Sequence, residues 1–176
     1  MVNRRFNEYV TRIGGAFMLI YHGSKVIVDK PLISESRENT DFGRGFYTTD
    51  IEQQAINWAK RRGSLGYVSK YDLDDYIFQD SSIIIKKFSK YDEEWLDYII
   101  SCRNGNPNGY YDIIIGPMAD DRVYNTIELY MEDIASKEQT LQGLKFPVKN
   151  NQICFRNQNI LNKYLKFIGV DEYVGK

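Results

Sequence analysis

The stretch DFGRGFYTTDIEQQAINWA, residues 41–59, places a glycine-rich turn, a short strand and a helix one after another. GFYTT combines aromatic and β-branched residues, which favours a strand, and the glycines before it indicate a turn. DIEQQAINWAKRR then begins with Asp50, a predicted N-cap that Gln53 completes as a capping box. The apolar residues of this segment share one helical face: Ile51, Ala55, Trp58 and Ala59. The stretch therefore predicts a fold that mixes strands and helices.

The same two patterns recur along the chain. Strand-like runs are FMLIY, YVSKYDL, SIIIKKF, YDIIIG, QICF and YLKFIGV. A second helix is predicted in YDEEWLDYIISCR and two more over 124–133 and 136–144, while RNGNPNGYYD at 103–112 carries several turn signals. The pattern predicts an α+β fold in which helices pack around a split or strongly bent sheet.

Length and charge limit the classes of protein that this chain can represent. Its 176 residues are 43% hydrophobic, which suits one compact domain. Because 23 Lys and Arg balance 24 Asp and Glu, no field of one sign draws the chain to nucleic acid or to an anionic membrane. The apolar run 16–21 is too short for a signal peptide or a membrane span. We therefore expect a cytoplasmic protein with an N-terminal extension over 1–17 and a single domain over 18–176.

The two cysteines also bear on the compartment. Cys102 and Cys154 have no second cysteine or histidine near them in the sequence, which argues against a zinc site and for a reducing environment. The sequence does not decide whether the two cysteines form a disulfide.

His22 is the single histidine of the chain, and it ends an apolar run just before Gly23 and Ser24. A histidine at a strand end is often a core residue whose ring nitrogens are satisfied by the fold. The small, polar residues that follow favour the alternative, a polar anchor of a binding site.

Three short blocks carry a resemblance to a known family. YHGS at 21–24, DFGRGFYTTDIEQQAINWA at 41–59 and NNQICFRNQNILNKYLKF at 150–167 resemble, in this order, the signature segments of the ADP-ribosyltransferase superfamily, in its diphtheria-toxin-like, poly(ADP-ribose)-polymerase-like branch. The chain is also similar to an uncharacterised bacterial family of that superfamily that adds the segment DIIIGPMADD, at 112–121 here. The resemblance runs from about residue 18 to 168 and implies a split or bent antiparallel sheet with peripheral helices.

The resemblance implies NAD as the substrate. Cleavage of nicotinamide from NAD leaves a cation at the ribose C1′, so a site must hold the carboxamide, fix both riboses and support positive charge. By resemblance, His22 bonds the adenine-side ribose, the Gly23 backbone pairs with the carboxamide and Ser24 adds a hydroxyl. Tyr47 stacks on the nicotinamide and Trp58 forms a second aromatic wall, although both aromatic side chains could instead be core residues.

The third block departs from the pattern of the polymerising enzymes. Gln152 stands where they carry a catalytic glutamate, so an acceptor is retained but a negative charge is lost. His22, Tyr47 and Gln152 are the predicted catalytic residues, and glutamate at position 152 is expected to support NAD hydrolysis at least as well as glutamine. Glu128 is a second candidate for the carboxylate, though its helical neighbourhood favours a surface role. Polymer formation is not expected.

Acidic residues of DIIIGPMADD offer a competing interpretation. Asp112, Asp120 and Asp121 could bind Mg²⁺ near a strand end. No histidine or phosphate-binding glycine loop accompanies them, and Asp120 and Asp121 also fit the start of a helix, so no metal is expected.

Together these observations predict an enzyme, an NAD-dependent mono-ADP-ribosyltransferase (a glycosyltransferase) that acts on a macromolecular acceptor. The near-neutral charge favours a protein acceptor over nucleic acid, and no membrane partner is expected. The resemblance also suggests a bacterial toxin paired with a small antitoxin protein. The alternative, raised by Gln152, is an inactive module that binds NAD or ADP-ribose.

Overall fold

The computed structural model describes residues 10–12, 15–61, 65–119, 121–144 and 150–174. Within them the predicted α+β class is confirmed, with two four-stranded sheets and five α-helices. The strands are β1 (Val10–Arg12), β2 (Gly15–Ser24), β3 (Phe46–Thr48), β4 (Leu65–Asp74), β5 (Ile85–Lys87), β6 (Ile113–Gly116), β7 (Gln152–Phe155) and β8 (Leu165–Val174). The helices are α1 (Glu52–Lys60), α2 (Glu93–Arg103), α3 (Asp121–Met131), α4 (Lys137–Gly143) and α5 (Gln158–Tyr164).

The chain folds into two compact units, and neither unit is continuous in sequence. The first comprises Met1–Pro31, Thr48–Ile83 and Gln158–Lys176, and the second comprises Leu32–Tyr47 and Ile84–Asn157. Strand β2 begins at Gly15, ahead of the expected domain start at residue 18, and it pairs with β1. The first sheet thus includes residues that the sequence assigns to an extension.

The first unit contains an antiparallel sheet in the order β1-β2-β4-β8. Helix α1 packs on β2 and β4 through its small residues Ala55 and Ala59, which are buried with Val68. Gly23 of β2 and Gly66 of β4 allow this contact, because a Cβ at either position would lie about 2 Å from a backbone oxygen of α1 (2.0 Å for Gly23, 2.1 Å for Gly66). The helix therefore lies backbone against backbone on two neighbouring strands.

The second unit contains a sheet in the order β3-β7-β6-β5. Strands β6 and β7 are antiparallel but β5 and β6 are parallel, so the expectation of antiparallel strands holds for the first sheet and not for all of the second. Helix α2 covers the unit's core, to which it contributes Trp95, Leu96 and Ile99. The two cysteines are buried free thiols, which answers the question of a disulfide.

Helix starts follow local hydrogen bonding. Asp92 caps α2 by accepting a bond from the Trp95 N–H at 3.0 Å. The predicted cap of α1 at Asp50 is wrong, because Ile51 occupies the N-cap position and makes no side-chain cap. The Thr49 hydroxyl instead accepts the bond from the Ile51 N–H, at 3.1 Å. Helix α5 and strand β1 have no counterpart in the sequence prediction.

In the part of the chain that the structure describes, no helix has both the length and the apolar character needed to cross a membrane.

Candidate functional site

His22 lies near the end of β2, half-buried and directly opposite Ser69 of β4. Side chains alternate along a strand, so His22 shares a face with buried Ile20, and Gly23 faces α1 on the other side. The chain returns over the face of His22 after β2 ends, because the Val28 N–H donates to the Ser69 hydroxyl at 3.1 Å. His22 is thus a partly accessible polar residue beside a loop, not a fully buried core residue.

Gly23 presents its backbone groups at an edge of β2. Tyr21 uses its N–H and C=O to bridge Thr49, at 2.8 and 2.9 Å. Groups two residues apart on a strand point to the same edge, so those of Gly23 lie next along that edge, and no described residue pairs with them. Beside His22 there is therefore one donor and one acceptor that the described part of the chain leaves unbonded.

Ser24 ends β2 and its hydroxyl is used locally. It donates to the Val26 carbonyl, which closes a tight turn after the strand. The oxygen retains acceptor capacity in this arrangement.

Trp58 lies on α1 and therefore on the face of the sheet opposite the His22 side chain. Its side chain is 41% exposed, and the Arg61 guanidinium carbon lies 4.7 Å from the ring centroid. Arg61 covers one face of the ring, so a flat ligand could stack on the other face only.

Tyr47 anchors the turn that precedes it in the second unit. Its hydroxyl donates to the Gly43 carbonyl at 2.7 Å, accepts from the Phe42 N–H at 2.9 Å, and lies 2.8 Å from the Thr40 hydroxyl. Burial raises the pKa of Tyr47 well above its usual value, so the phenol stays neutral. The side chain remains half-buried, with its hydroxyl committed to the turn.

Glycine is required at two positions of this turn, for different structural reasons. Gly43 adopts a φ of 74°, in the left-handed region that favours glycine. A Cβ at Gly45 would lie 2.3 Å from the Cys154 sulfur, so this glycine lets the chain enter β3 close against β7. The predicted turn before Tyr47 is confirmed.

Gln152 opens β7 and is 5% exposed. Its amide nitrogen donates to the carboxylate of Asp41 at 3.4 Å. Asp41 also accepts bonds from the Arg103 guanidinium at 2.7 Å and from the Ala119 N–H at 3.0 Å. Gln152 therefore belongs to a polar network centred on one carboxylate.

Asp41 is the residue that sequence reasoning missed. It stands at the start of the second block, directly before fully buried Phe42, which is an unusual place for a charge. That position is the one local signal. Its partner Arg103 lies 62 residues further along the chain, and no local pattern connects the two.

Glu128 is exposed on α3. Its hydrogen bond to Tyr124 raises the pKa of that phenol, and the Tyr124 ring in turn lies 4.4 Å from the Arg103 guanidinium carbon. Arg103 in turn bonds Asp41, and Asp41 accepts from Gln152. The carboxylate that contacts Gln152 belongs to Asp41.

Asp112 is buried and bonded to three donors, which suits a structural role. Its carboxylate accepts from the Ile84 N–H at 2.9 Å and from Tyr110 and Asn157, each at 2.8 Å. Burial alone would raise the pKa of Asp112, but these bonds outweigh it and hold the pKa below its ordinary value. Asp120 lies outside the described residues, and those described hold no group of three or more His, Cys, Asp or Glu that could bind a metal.

A protein-family comparison covers most of the chain. The family model described as "Protein of unknown function (DUF3990)" matches residues 18–167. The chain belongs to the DUF3990 family. The matched span begins at Met18 and includes β7 and all three blocks quoted above. No curated protein matches the chain.

Proposed function

We propose that this DUF3990 protein is an NAD-dependent mono-ADP-ribosyltransferase that transfers one ADP-ribose to a macromolecular acceptor and releases nicotinamide. The observation that supports the proposal is the N–H and C=O of Gly23, which no described residue bonds, on the edge of β2 next to His22. A primary carboxamide offers one acceptor and one donor side by side, so it complements this backbone pair.

His22 and Ser24 fit the roles that the resemblance gives them. The half-buried imidazole can bond a ribose hydroxyl through one ring nitrogen, and Ser24 can accept from the carboxamide while it donates to Val26. Both residues act by positioning, because the reaction cleaves a bond whose leaving group, nicotinamide, departs neutral.

Tyr47 and Gln152 supply the other proposed functions. The Tyr47 hydroxyl is fixed by three partners, so its ring has a set orientation for stacking on the cationic nicotinamide ring. Gln152 accepts a bond from the nicotinamide-side ribose. Trp58 contributes less, since Arg61 already covers one face of its ring.

The proposal includes a protein acceptor, a bacterial cytoplasmic setting and a role as a toxin neutralised by a small antitoxin protein. These parts depend on the sequence resemblance and on the near-neutral charge of the chain. No metal takes part in the proposed reaction.

A second candidate, an inactive NAD-binding module, is favoured by one observation. Position 152 carries an amide, which supports the oxocarbenium-like transition state less strongly than a carboxylate would. A module of this kind would use His22, Gly23 and Tyr47 for binding and would release no nicotinamide.

One assay separates the two candidates. The purified protein is incubated with NAD labelled on its adenine half and with bacterial extract, and both nicotinamide and labelled macromolecules are measured. Nicotinamide release together with label on a macromolecule supports the transferase, and loss of both in His22→Ala ties the activity to β2. Saturable NAD binding without release supports the module.

A further inference from the structure

The contact between Gln152 and Asp41 fixes which end of the amide is available. An ionised carboxylate only accepts hydrogen bonds, so the Gln152 nitrogen must face Asp41 and the carbonyl oxygen must face away. That oxygen has no partner among the described residues, and it is not among their fully buried unpaired atoms. It is therefore the end of the amide that the described part of the chain leaves uncommitted.

Asp41 is itself held in place. Arg103 and the Ala119 N–H bond its two carboxylate oxygens, and the side chains of Asp41 and Arg103 are only 14% and 9% exposed. These partners come from the end of α2 and from the segment after β6. The orientation of the Gln152 amide is thus set before any ligand binds.

We propose that Asp41 is a positioning residue for Gln152, which presents its carbonyl oxygen to the ribose hydroxyl while Asp41 supplies the nearby negative charge that the third block lacks. The inference rests on the proposed function. The bond from the amide to a carboxylate is charge-assisted and polarises the amide, which makes its oxygen a stronger acceptor. The polymerising enzymes carry this negative charge on their glutamate. In this chain the neighbouring side chain, Asp41, carries it instead.

This contact reverses one expectation from the sequence. Glutamate at position 152 would face Asp41, and two carboxylates at this distance retain a shared proton to higher pH than an isolated carboxyl. Protonated, the new side chain mimics glutamine, whereas ionised it repels Asp41. Gln152→Glu should therefore be harmful above neutral pH and not beneficial.

Other titratable groups near Asp41 should not titrate in the pH range in which the new carboxyl of Gln152→Glu loses its proton. Burial raises the pKa of Tyr47, of Cys102 and of Cys154, the last to about 12. The bond to Glu128 raises the pKa of Tyr124. A new titration between about pH 5 and pH 8 in the variant would belong to the carboxylate pair.

The experiment compares Asp41→Asn, Gln152→Glu and the double variant with the unmutated protein. We expect kcat for nicotinamide release to fall about tenfold or more in Asp41→Asn, with KM for NAD nearly unchanged, since the charge acts mainly on the transition state. Gln152→Glu should lose rate as pH rises from about 5 to about 8, and the double variant should recover rate relative to both, because it returns one carboxylate to the pair.

Thermal unfolding gives a readout that does not depend on activity. The Gln152→Glu carboxyl has a raised pKa in the folded state, so its destabilising effect grows as pH rises above its ordinary value of about 4.3. The double variant should show a weaker pH dependence, because only burial then raises the pKa of that carboxyl. Asp112→Asn is the matched control, since it alters another buried carboxylate of the same unit with three donors and no contact to Gln152. It should lower stability without changing the rate per folded molecule.

The outcomes are distinguishable. Recovery in the double variant together with the pH-dependent unfolding supports the inference. Additive losses in the double variant, or a pH-independent deficit in Gln152→Glu, overturn it while leaving the proposed function intact. If the unmutated protein releases no nicotinamide, the proposed function fails and this inference fails with it. If Asp41→Asn does not fold, the pH profile of Gln152→Glu decides alone.

Discussion

The end of β2 and the start of β7 hold their motif residues in place by different physics. Gly23 is fixed by steric contact, since the backbone of α1 occupies the space that a side chain would need. Gln152 is fixed by a carboxylate that bonds an arginine, a backbone N–H and the glutamine itself. Gly23 is therefore required for packing, and substitutions there test stability. The orientation of Gln152 depends on a neighbouring charge, and substitutions there test electrostatics.

Gly23→Ala should have the largest effect on stability. Its Cβ would lie 2.0 Å from the Ala55 carbonyl oxygen, and this backbone atom cannot move without shifting α1. We expect a loss of about 3 kcal/mol or more in the free energy of unfolding, measured by denaturant titration. Gly169→Ala, in β8 of the same sheet, is the control because a Cβ there meets nothing within 4 Å. Equal stability of the two variants would show that the contact with α1 is looser than described.

Asp112→Asn should have an intermediate effect, and the effect should depend on pH. Three donors lose a charged acceptor, at a cost of roughly 1–3 kcal/mol. The pKa of Asp112 is lowered in the folded state, so its contribution is present above the ordinary value of about 3.9 and is lost as pH falls through the folded value. The stability difference from the unmutated protein, followed by thermal unfolding, should be full at neutral pH and shrink in acid. A constant difference across this range would contradict the assignment.

Tyr47→Phe should cost about 1–2 kcal/mol of stability, because the Phe42 N–H and the Thr40 hydroxyl lose a partner. The ring remains, so NAD affinity should be largely retained. Tyr47→Ala removes the ring as well and should weaken NAD binding more than binding of ADP-ribose, which lacks nicotinamide. Calorimetric titration of both ligands checks this, and equal losses for the two would argue against stacking.

His22→Ala should have the smallest effect on stability, below about 1 kcal/mol, since the side chain is only half-buried. It should nonetheless weaken NAD binding by about tenfold, as expected for one lost hydrogen bond in a ligand site. Trp58→Leu, on the opposite face of the sheet, provides the comparison and should change NAD affinity less. A larger loss of NAD affinity in Trp58→Leu than in His22→Ala would indicate that NAD binds on the face of the sheet that α1 covers.

The sequence predicts much of this fold because strand and helix periodicities are local. QICF and YDIIIG are predicted as strands from local pattern alone, and both are strands in the structure. The role of Gly23 in packing α1 could not be predicted, because Ala55 approaches it only once β2 and the helix are assembled. Asp41 was missed for the same reason: its donors Arg103, Ala119 and Gln152 are 62, 78 and 111 residues away.

The central claim, that the Gly23 edge of β2 binds the nicotinamide carboxamide, can be tested without altering the fold. Calorimetry compares the binding of NAD with that of its analogue in which a carboxylate replaces the carboxamide. The carboxylate has no N–H to donate to the Gly23 carbonyl and places a negative charge against it, so NAD should bind at least about tenfold more tightly. Equal affinities, or no binding of NAD, would contradict the account.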